Sequence, residues 1–116
     1  MAGSSSGTSG SANGLGTAAT FNAPCDVAVS SSGKVFVADS SNYRIRVIDT
    51  AGTVSVFAGS SSGNIDGLGS MARFGLVYGL TVNSNDEVLV ADSGNCRIRK
   101  ISTAGWSNAK KCRLLP

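Results

Sequence analysis

The chain repeats one stretch of its own sequence, and this repeat constrains the fold more than any other feature. The stretch ADSSNYRIR at residues 38–46 returns as ADSGNCRIR at residues 91–99, with seven of the nine letters identical. The offset of 53 residues (91 − 38) also relates Phe21 to Phe74. Self-similarity at a fixed period of about 20–50 residues is typical of repeat architectures, in which each copy forms one unit. We therefore expect two copies of one structural unit.

Within one copy, apolar and polar residues alternate over four short runs. These runs lie at residues 26–30, 34–40, 43–49 and 53–59. Alternation with a period of two over about four to eight residues is typical of a half-buried β-strand. The segments between the runs are short and rich in Ser, Gly and Asn, as hairpin turns are. Four short antiparallel strands in a meander form one blade of a β-propeller, so the sequence predicts an all-β fold with two four-stranded antiparallel blades.

The repeat also predicts the boundaries of the units. The first blade with its N-terminal connector spans residues 1–59, and the second blade spans residues 60–105 with three clear strands. At the offset of 53, residues 53–57 align with residues 106–110, where the apolar alternation is lost. We therefore expect the outer strand of the second blade to be degraded. Residues 106–116 are predicted to form a disordered tail outside the repeat.

The repeated pattern resembles the NHL repeat. The signature FNxPxxVAVxxSGxV[FY]VADSxNxRIR reads almost letter for letter over residues 21–46 and again over residues 74–99, where Gly75 and Val77 replace an asparagine and a proline. The resemblance extends over roughly residues 3–105. It implies a six-bladed propeller with a central channel, used mostly to bind protein, peptide or RNA partners. Some relatives with this fold are metal-dependent lyases or lactone hydrolases.

Each copy of the repeated stretch carries four polar side chains. They are Asp39, Asn42, Arg44 and Arg46 in the first copy, and Asp92, Asn95, Arg97 and Arg99 in the second. We expect the aspartate and the asparagine to bond backbone amides two residues further on and so to fix a tight turn. We expect the first arginine to pair with the aspartate across the hairpin, and the second to extend toward a neighbouring blade. A motif that occurs once in every blade favours a structural role over cation or phosphate binding.

The ionisable residues restrict the chemistry that the chain can perform. There is no histidine, which excludes Ser-His-Asp and Cys-His catalysis and histidine-ligated metals within this chain. Seven acidic residues are scattered, and the three cysteines have spacings that fit no metal site. Asp26 is the one candidate at the rim of the channel, because its counterpart in the second copy is Gly79. The sequence predicts no catalytic residue, no metal and no cofactor, and therefore no enzyme.

These features favour a non-catalytic scaffold that binds protein or peptide. RNA binding through the arginines is the alternative, and a lyase or lactonase is a weaker one because histidine is absent. No run approaches the ~18 apolar residues of a membrane helix, residues 1–14 do not read as a signal peptide, and the compartment is not predicted. Two blades leave their outer faces open. We therefore expect the chain to be a fragment of a longer propeller. Self-association, with three chains supplying six blades, is the alternative.

Overall fold

A computed structural model describes residues 1–102 and 111–114 of the chain. These residues form two five-stranded antiparallel sheets, and the helical segments among them are 3-10 turns of three residues each. The predicted all-β fold of two antiparallel blades is therefore confirmed.

The two sheets have the same strand order. In the first blade the strands are β1 Gly14–Leu15, β2 Pro24–Val29, β3 Val35–Asp39, β4 Arg44–Ile48 and β5 Thr53–Gly59. In the second blade they are β6 Gly67–Leu68, β7 Val77–Val82, β8 Val88–Asp92, β9 Arg97–Ser102 and β10 Lys111–Leu114. The orders β1-β5-β4-β3-β2 and β6-β10-β9-β8-β7 each contain the predicted four-stranded meander plus one short strand. The short strand comes from the connector, by which we mean residues 1–23 before β2 and residues 60–76 before β7.

The connector strand pairs with the outermost strand of the blade that follows it. In the first blade Gly14 lies opposite Val54 and Leu15 lies opposite Thr53. The sequence pattern did not indicate this strand, because two residues are too few to show an alternation. The pairing holds each connector against its own blade.

The outer strand of the second blade is β10, and it lies further along the chain than expected. It spans four residues, against seven in β5, and pairs with both β9 and β6. Lys111 lies opposite Leu68, as Thr53 lies opposite Leu15, so the offset here is 58 (111 − 53), which is 53 + 5. The placing of residues 111–114 in a disordered tail is therefore wrong, while residues 106–110 lie outside the described residues.

The hydrophobic core lies between the two blades. It combines side chains of both: Phe36, Ala38, Ile45, Phe57 and Ala58 from the first, and Ala72, Phe74, Val77, Val88, Val90 and Ile101 from the second. The rings of Phe36 and Phe57 meet edge to face at 4.7 Å between centroids. Each large apolar side chain buried in this way contributes about 1.5–3 kcal/mol. The apolar side chains that alternate along the strands are thus what joins blade to blade.

Candidate functional site

The polar residues of the repeated stretch form a buried cluster that grips the connector. In the first blade the Nη1 atom of Arg46 lies 2.8 Å from the Oδ2 atom of Asp39, and both side chains are fully buried. The Arg46 guanidinium also donates to the backbone oxygens of Thr20 (2.8 Å) and Ala12 (2.7 Å) and to the Oδ1 atom of Asn13 (3.0 Å). One arginine therefore joins β4 to three points of the N-terminal connector.

The aspartate and the asparagine complete the same cluster. Asp39 accepts the backbone N–H of Asn22 at 2.8 Å through Oδ1. Asn42 donates through Nδ2 to Oδ2 of Asp39 and to the backbone oxygen of Gly10, both at 2.8 Å. The Asp39 carboxylate thus holds three donors, one of them charged, which is the condition for burying a carboxylate.

The second blade repeats this geometry almost atom for atom. Arg99 pairs with Asp92 at 2.8 Å and donates to the backbone oxygens of Arg73 and Ile65. Asn95 donates to Asp92 at 2.8 Å and to the oxygen of Gly63 at 2.7 Å, while Asp92 accepts the N–H of Gly75 at 2.9 Å. The one chemical difference is that Arg99 meets Asp66 at 3.0 Å where Arg46 meets Asn13.

An aromatic ring covers each buried arginine. The guanidinium carbon of Arg46 lies 4.9 Å from the centre of the Phe21 ring, and that of Arg99 lies 4.7 Å from the Phe74 ring. Among the described residues, the Nε atoms of these two arginines are buried without a hydrogen-bond partner. Stacking on a ring face is favourable for a guanidinium that has lost its water.

The predicted partners within this cluster are corrected by the structure. Arg44 does lie opposite Asp39 in the strand register, but its Nε atom donates to the backbone oxygen of Ser60 at 3.2 Å, and Arg97 donates to Asn64. Asp39 pairs with Arg46 instead. The backbone at Asp39 has left the extended conformation, with φ −87° and ψ 76°, so the rule for facing strand residues does not hold there.

The turn itself also differs from the expectation. The carboxylate of Asp39 and the amide of Asn42 bond residues of the connector rather than amides two positions further on. A 3-10 turn over Ser40–Asn42 makes the reversal, and Tyr43 closes it in the left-handed conformation with φ 57°. The equivalent residue, Cys96, has φ 55°. The reversal therefore comes from a local backbone conformation, and the polar side chains are left to hold the connector.

Asp26 lies where the two blades meet. Its Oδ2 atom accepts the backbone N–H of Leu80 in the second blade, and its Oδ1 atom accepts that of Val27, both at 2.9 Å. The side chain is half-buried and lies beside Gly79, its own counterpart in the repeat. Both oxygens are therefore engaged in hydrogen bonds, one of which crosses between the blades.

A second polar contact between the blades was not predicted. Asp86 in the β7–β8 turn accepts the backbone N–H of Ser31 at 3.0 Å and also accepts the Ser31 hydroxyl. These bonds from Ser31 hold the pKa of Asp86 below its ordinary value. The sequence did carry a signal, because Asp86 corresponds to Gly33 just as Asp26 corresponds to Gly79. Both of these departures from the repeat place a carboxylate where the two blades meet.

Each blade has two faces, which differ in what covers them. We call the surface of Phe36, Ala38 and Ile45 the back face of the first blade; its side chains are at most 2% exposed under the second blade. At the offset of 53, the back face of the second blade consists of Leu89, Ala91 and Ile98. Here Leu89 and Ala91 are half-buried and Ile98 is 51% exposed.

The opposite faces show the reverse difference. The front face of the second blade, Phe74, Leu80 and Val82, packs in or against the core between the blades. The front face of the first blade includes Phe21, Val27, Val29 and Val37, and of these Val37 is only 4% exposed. Val27 is 58% exposed and Val29 is 61% exposed. The same apolar pattern is thus covered at the inner junction and open at both ends of the pair.

The back face of the second blade forms an open groove of about 310 Å³. Its lining is mostly apolar, with two polar side chains: Asp26, Gly79, Leu80, Thr81, Leu89, Val90, Ala91 and Ile98. Asp26 is the single ionisable residue of this lining. Among residues 1–102 and 111–114, no three acidic, cysteine or histidine side chains come together as a metal would require. The helical turns in the same ranges are far too short to cross a bilayer.

The comparisons with known proteins agree with this architecture. The NHL repeat matches residues 21–48 and 79–101. No curated protein matches the chain.

Solved structures with the same fold come from Bacteroides thetaiotaomicron. An auxiliary nutrient binding protein is 25% identical with a TM-score of 0.71 over 82% of this chain. A protein of unknown function is 27% identical with a TM-score of 0.76 over 85% of this chain. A protein whose name proposes a phosphatase is 25% identical with a TM-score of 0.75 over 91%. This chain spans 26% of the length of each of the three. The chain therefore carries two matches to the NHL repeat, one in each blade of the β-propeller type.

Proposed function

We propose that the chain is a non-catalytic interaction module that binds protein or peptide through the apolar groove of its second blade. One observation carries this proposal: the polar side chains of the repeated stretch are already engaged in hydrogen bonds within the chain. Apart from the Nε atoms of the two buried arginines, most donors and acceptors of Asp39, Asn42 and Arg46, and of their counterparts in the second blade, bond one another and the connector. What stays open is an apolar surface of the kind that marks interaction sites. The likeness to a nutrient binding protein also supports a binding role.

The groove suggests the chemistry of its occupant. In the first blade the equivalent surface belongs to the same core cluster as Phe74 and Val77 of the second blade. The groove therefore suits a segment that presents one aromatic or branched side chain among small residues. The Asp26 carboxylate at its inner end favours a donor on the occupant, such as a backbone N–H or a lysine. Because both Asp26 oxygens already accept backbone N–H groups, we assign Asp26 a positioning role rather than a catalytic one.

RNA binding is less well supported by the same geometry. Arg46 and Arg99 are fully buried and ion-paired, so two of the arginines that motivated this alternative are not available to phosphates. Binding of an RNA oligonucleotide that weakens steeply as salt rises would favour this function instead.

The test is peptide binding measured by fluorescence anisotropy. Labelled 12-residue peptides carry a central phenylalanine among small residues, with and without a lysine, and serine versions serve as controls. Ile98→Arg places a charge in the groove and is expected to weaken binding at least about tenfold. Ile65→Arg is the matched control, because Ile65 is likewise 51% exposed but lies outside the groove. No binding, or equal weakening by the two variants, would contradict the proposal.

A further inference from the structure

We propose that copies of this chain associate head to tail, with the back face of the second blade of one copy covering the front face of the first blade of the next. The proposal rests on the proposed function in one respect, since it names a second copy as the occupant of the same groove. It is argued from a contact that the chain already makes once, within itself.

The packing of the second blade on the first shows how a second copy would cover the back face of the second blade. Phe36, Ala38 and Ile45 are covered when the second blade packs on the first. Their counterparts Leu89, Ala91 and Ile98 repeat the apolar character at all three positions. These three side chains are only partly covered in the single chain. A second copy can therefore meet the same pattern of apolar positions that the second blade meets inside the chain.

The template for the front face is equally complete. Leu80 and Val82 pack against the inner core, and Val27 and Val29 repeat them at the open end. The connector before the first blade is already folded against its own sheet and holds Phe21 over Arg46. The front face of the first blade is thus preformed, so binding costs little ordering of the chain.

The polar contacts between the two blades of one chain have no counterparts between copies. This difference predicts how strongly copies associate. Gly79 replaces Asp26, and Gly33 replaces Asp86, so both carboxylates that cross the inner junction have no counterpart between copies. Lys100 also replaces Val47 on the back face. We therefore expect association between copies to be weaker than the packing inside the chain, and to depend on protein concentration.

The two faces are different surfaces, which fixes the type of assembly. A contact between unlike faces is heterologous, and it either closes into a ring or continues as an open array. A ring of three chains with six blades stays a prediction of the family resemblance. The test below depends only on the head-to-tail contact and not on how many copies close the ring.

The first experiment measures the mass of the full chain in solution by sedimentation over a range of concentrations. The wild type is expected to form species larger than one chain. Ile98→Arg blocks the back face and Val29→Arg blocks the front face, so each variant alone is expected to be monomeric. An equimolar mixture still contains one intact face of each kind. The mixture should therefore form a complex of two chains and nothing larger, which also shows that both variants are folded.

The second experiment strengthens the contact by restoring a missing polar group. Gly33 has φ +87°, in the positive-φ range where its counterpart Asp86 has 57°; an aspartate there is strained, but its Cβ atom would lie 3.6 Å from the nearest side chain. Gly33→Asp should let the next copy bond Ser84, the exposed counterpart of Ser31, and tighten association about three- to tenfold. Adding Ser84→Ala should reduce this gain, because the variant loses the hydroxyl donor and keeps only the backbone N–H.

Three results would overturn the inference. They are a monomeric wild type at every concentration, oligomers that survive both arginine variants, and a Gly33→Asp gain that Ser84→Ala leaves unchanged. The proposed function is judged separately by the peptide assay. A monomer that binds the phenylalanine peptides through Ile98 removes only the head-to-tail contact, whereas oligomers without peptide binding remove the general peptide-binding function.

Discussion

Replacing Arg46 with methionine should destabilise the chain strongly, because it strands a buried carboxylate. The methionine fills much of the same volume but donates no hydrogen bond. Asp39 would remain 0% exposed with its two uncharged donors, the N–H of Asn22 and the amide of Asn42. Removing one partner of a buried ion pair costs about 3–5 kcal/mol, since the other charge is left uncompensated. The connector oxygens of Thr20 and Ala12 lose their donor as well.

A loss of this size is a large part of the 5–15 kcal/mol that typically stabilises a folded domain. The assay is urea unfolding followed by circular dichroism, with the wild type and each variant measured at the same protein concentration. Arg46→Lys keeps the charge without the planar fork and should lose less. The double variant Arg46→Met with Asp39→Asn removes the stranded charge and should recover part of the loss, but not the bonds to the connector.

Arg44→Met is the matched control on the same strand. Arg44 is half-buried and donates one side-chain hydrogen bond, to the backbone oxygen of Ser60. We expect this variant to cost less than about 1 kcal/mol. If Arg44→Met and Arg46→Met lowered the free energy of unfolding equally, the argument that the buried pair holds the connector would be refuted.

Three further predictions concern single contacts. Ser31→Ala should lower stability above about pH 4 and match the wild type in more acidic solution, because a depressed pKa stabilises only while Asp86 is ionised; acid unfolding curves measure this. Gly94→Ala should cost about 1–3 kcal/mol in urea unfolding, because its Cβ would lie 2.7 Å from the backbone nitrogen of Leu76 and force the chain to shift; an unchanged midpoint would contradict this. Asp66→Asn should cost less than about 1 kcal/mol, because its side chain is 43% exposed and the first blade already has asparagine there.

The strand pattern could be predicted because its cause is local. Alternation with a period of two identified β2, β3, β4 and β5 to within about two residues. The same pattern, read at the offset of 53, placed β7, β8 and β9. The blade architecture followed, since each strand buries one set of alternate side chains against a neighbour.

The outer strand of the second blade was misplaced because a fixed offset cannot absorb an insertion. At the offset of 58 that the strand pairing shows, Cys112 and Leu114 correspond to Val54 and Val56. The apolar alternation that was missing at residues 106–110 is therefore present five residues later. Residues 111–114 therefore occupy the outer-strand position of the repeat, after a longer segment of sequence than the one before β5.

The pairing of the arginines was beyond sequence reasoning for a different reason. Arg44 and Arg46 lie on the same side of β4, and both are within reach of Asp39 by strand geometry alone. The choice between them depends on the connector, which supplies three acceptors to Arg46 beside the Asp39 carboxylate and buries both charges. A contact of this kind joins segments more than 25 residues apart, and no local pattern encodes it.

The two-residue strands β1 and β6 affect how this protein can aggregate. An uncovered edge of a sheet exposes unpaired N–H and C=O groups, and such an edge recruits other chains into fibrils. Here β5 is covered at Gly14 and Leu15, and β10 is covered at Gly67 and Leu68. Further copies of the chain find fewer unpaired backbone N–H and C=O groups at these outer edges, whereas the apolar faces remain exposed. In a concentrated or overheated sample, few further strands should therefore add at these two outer edges.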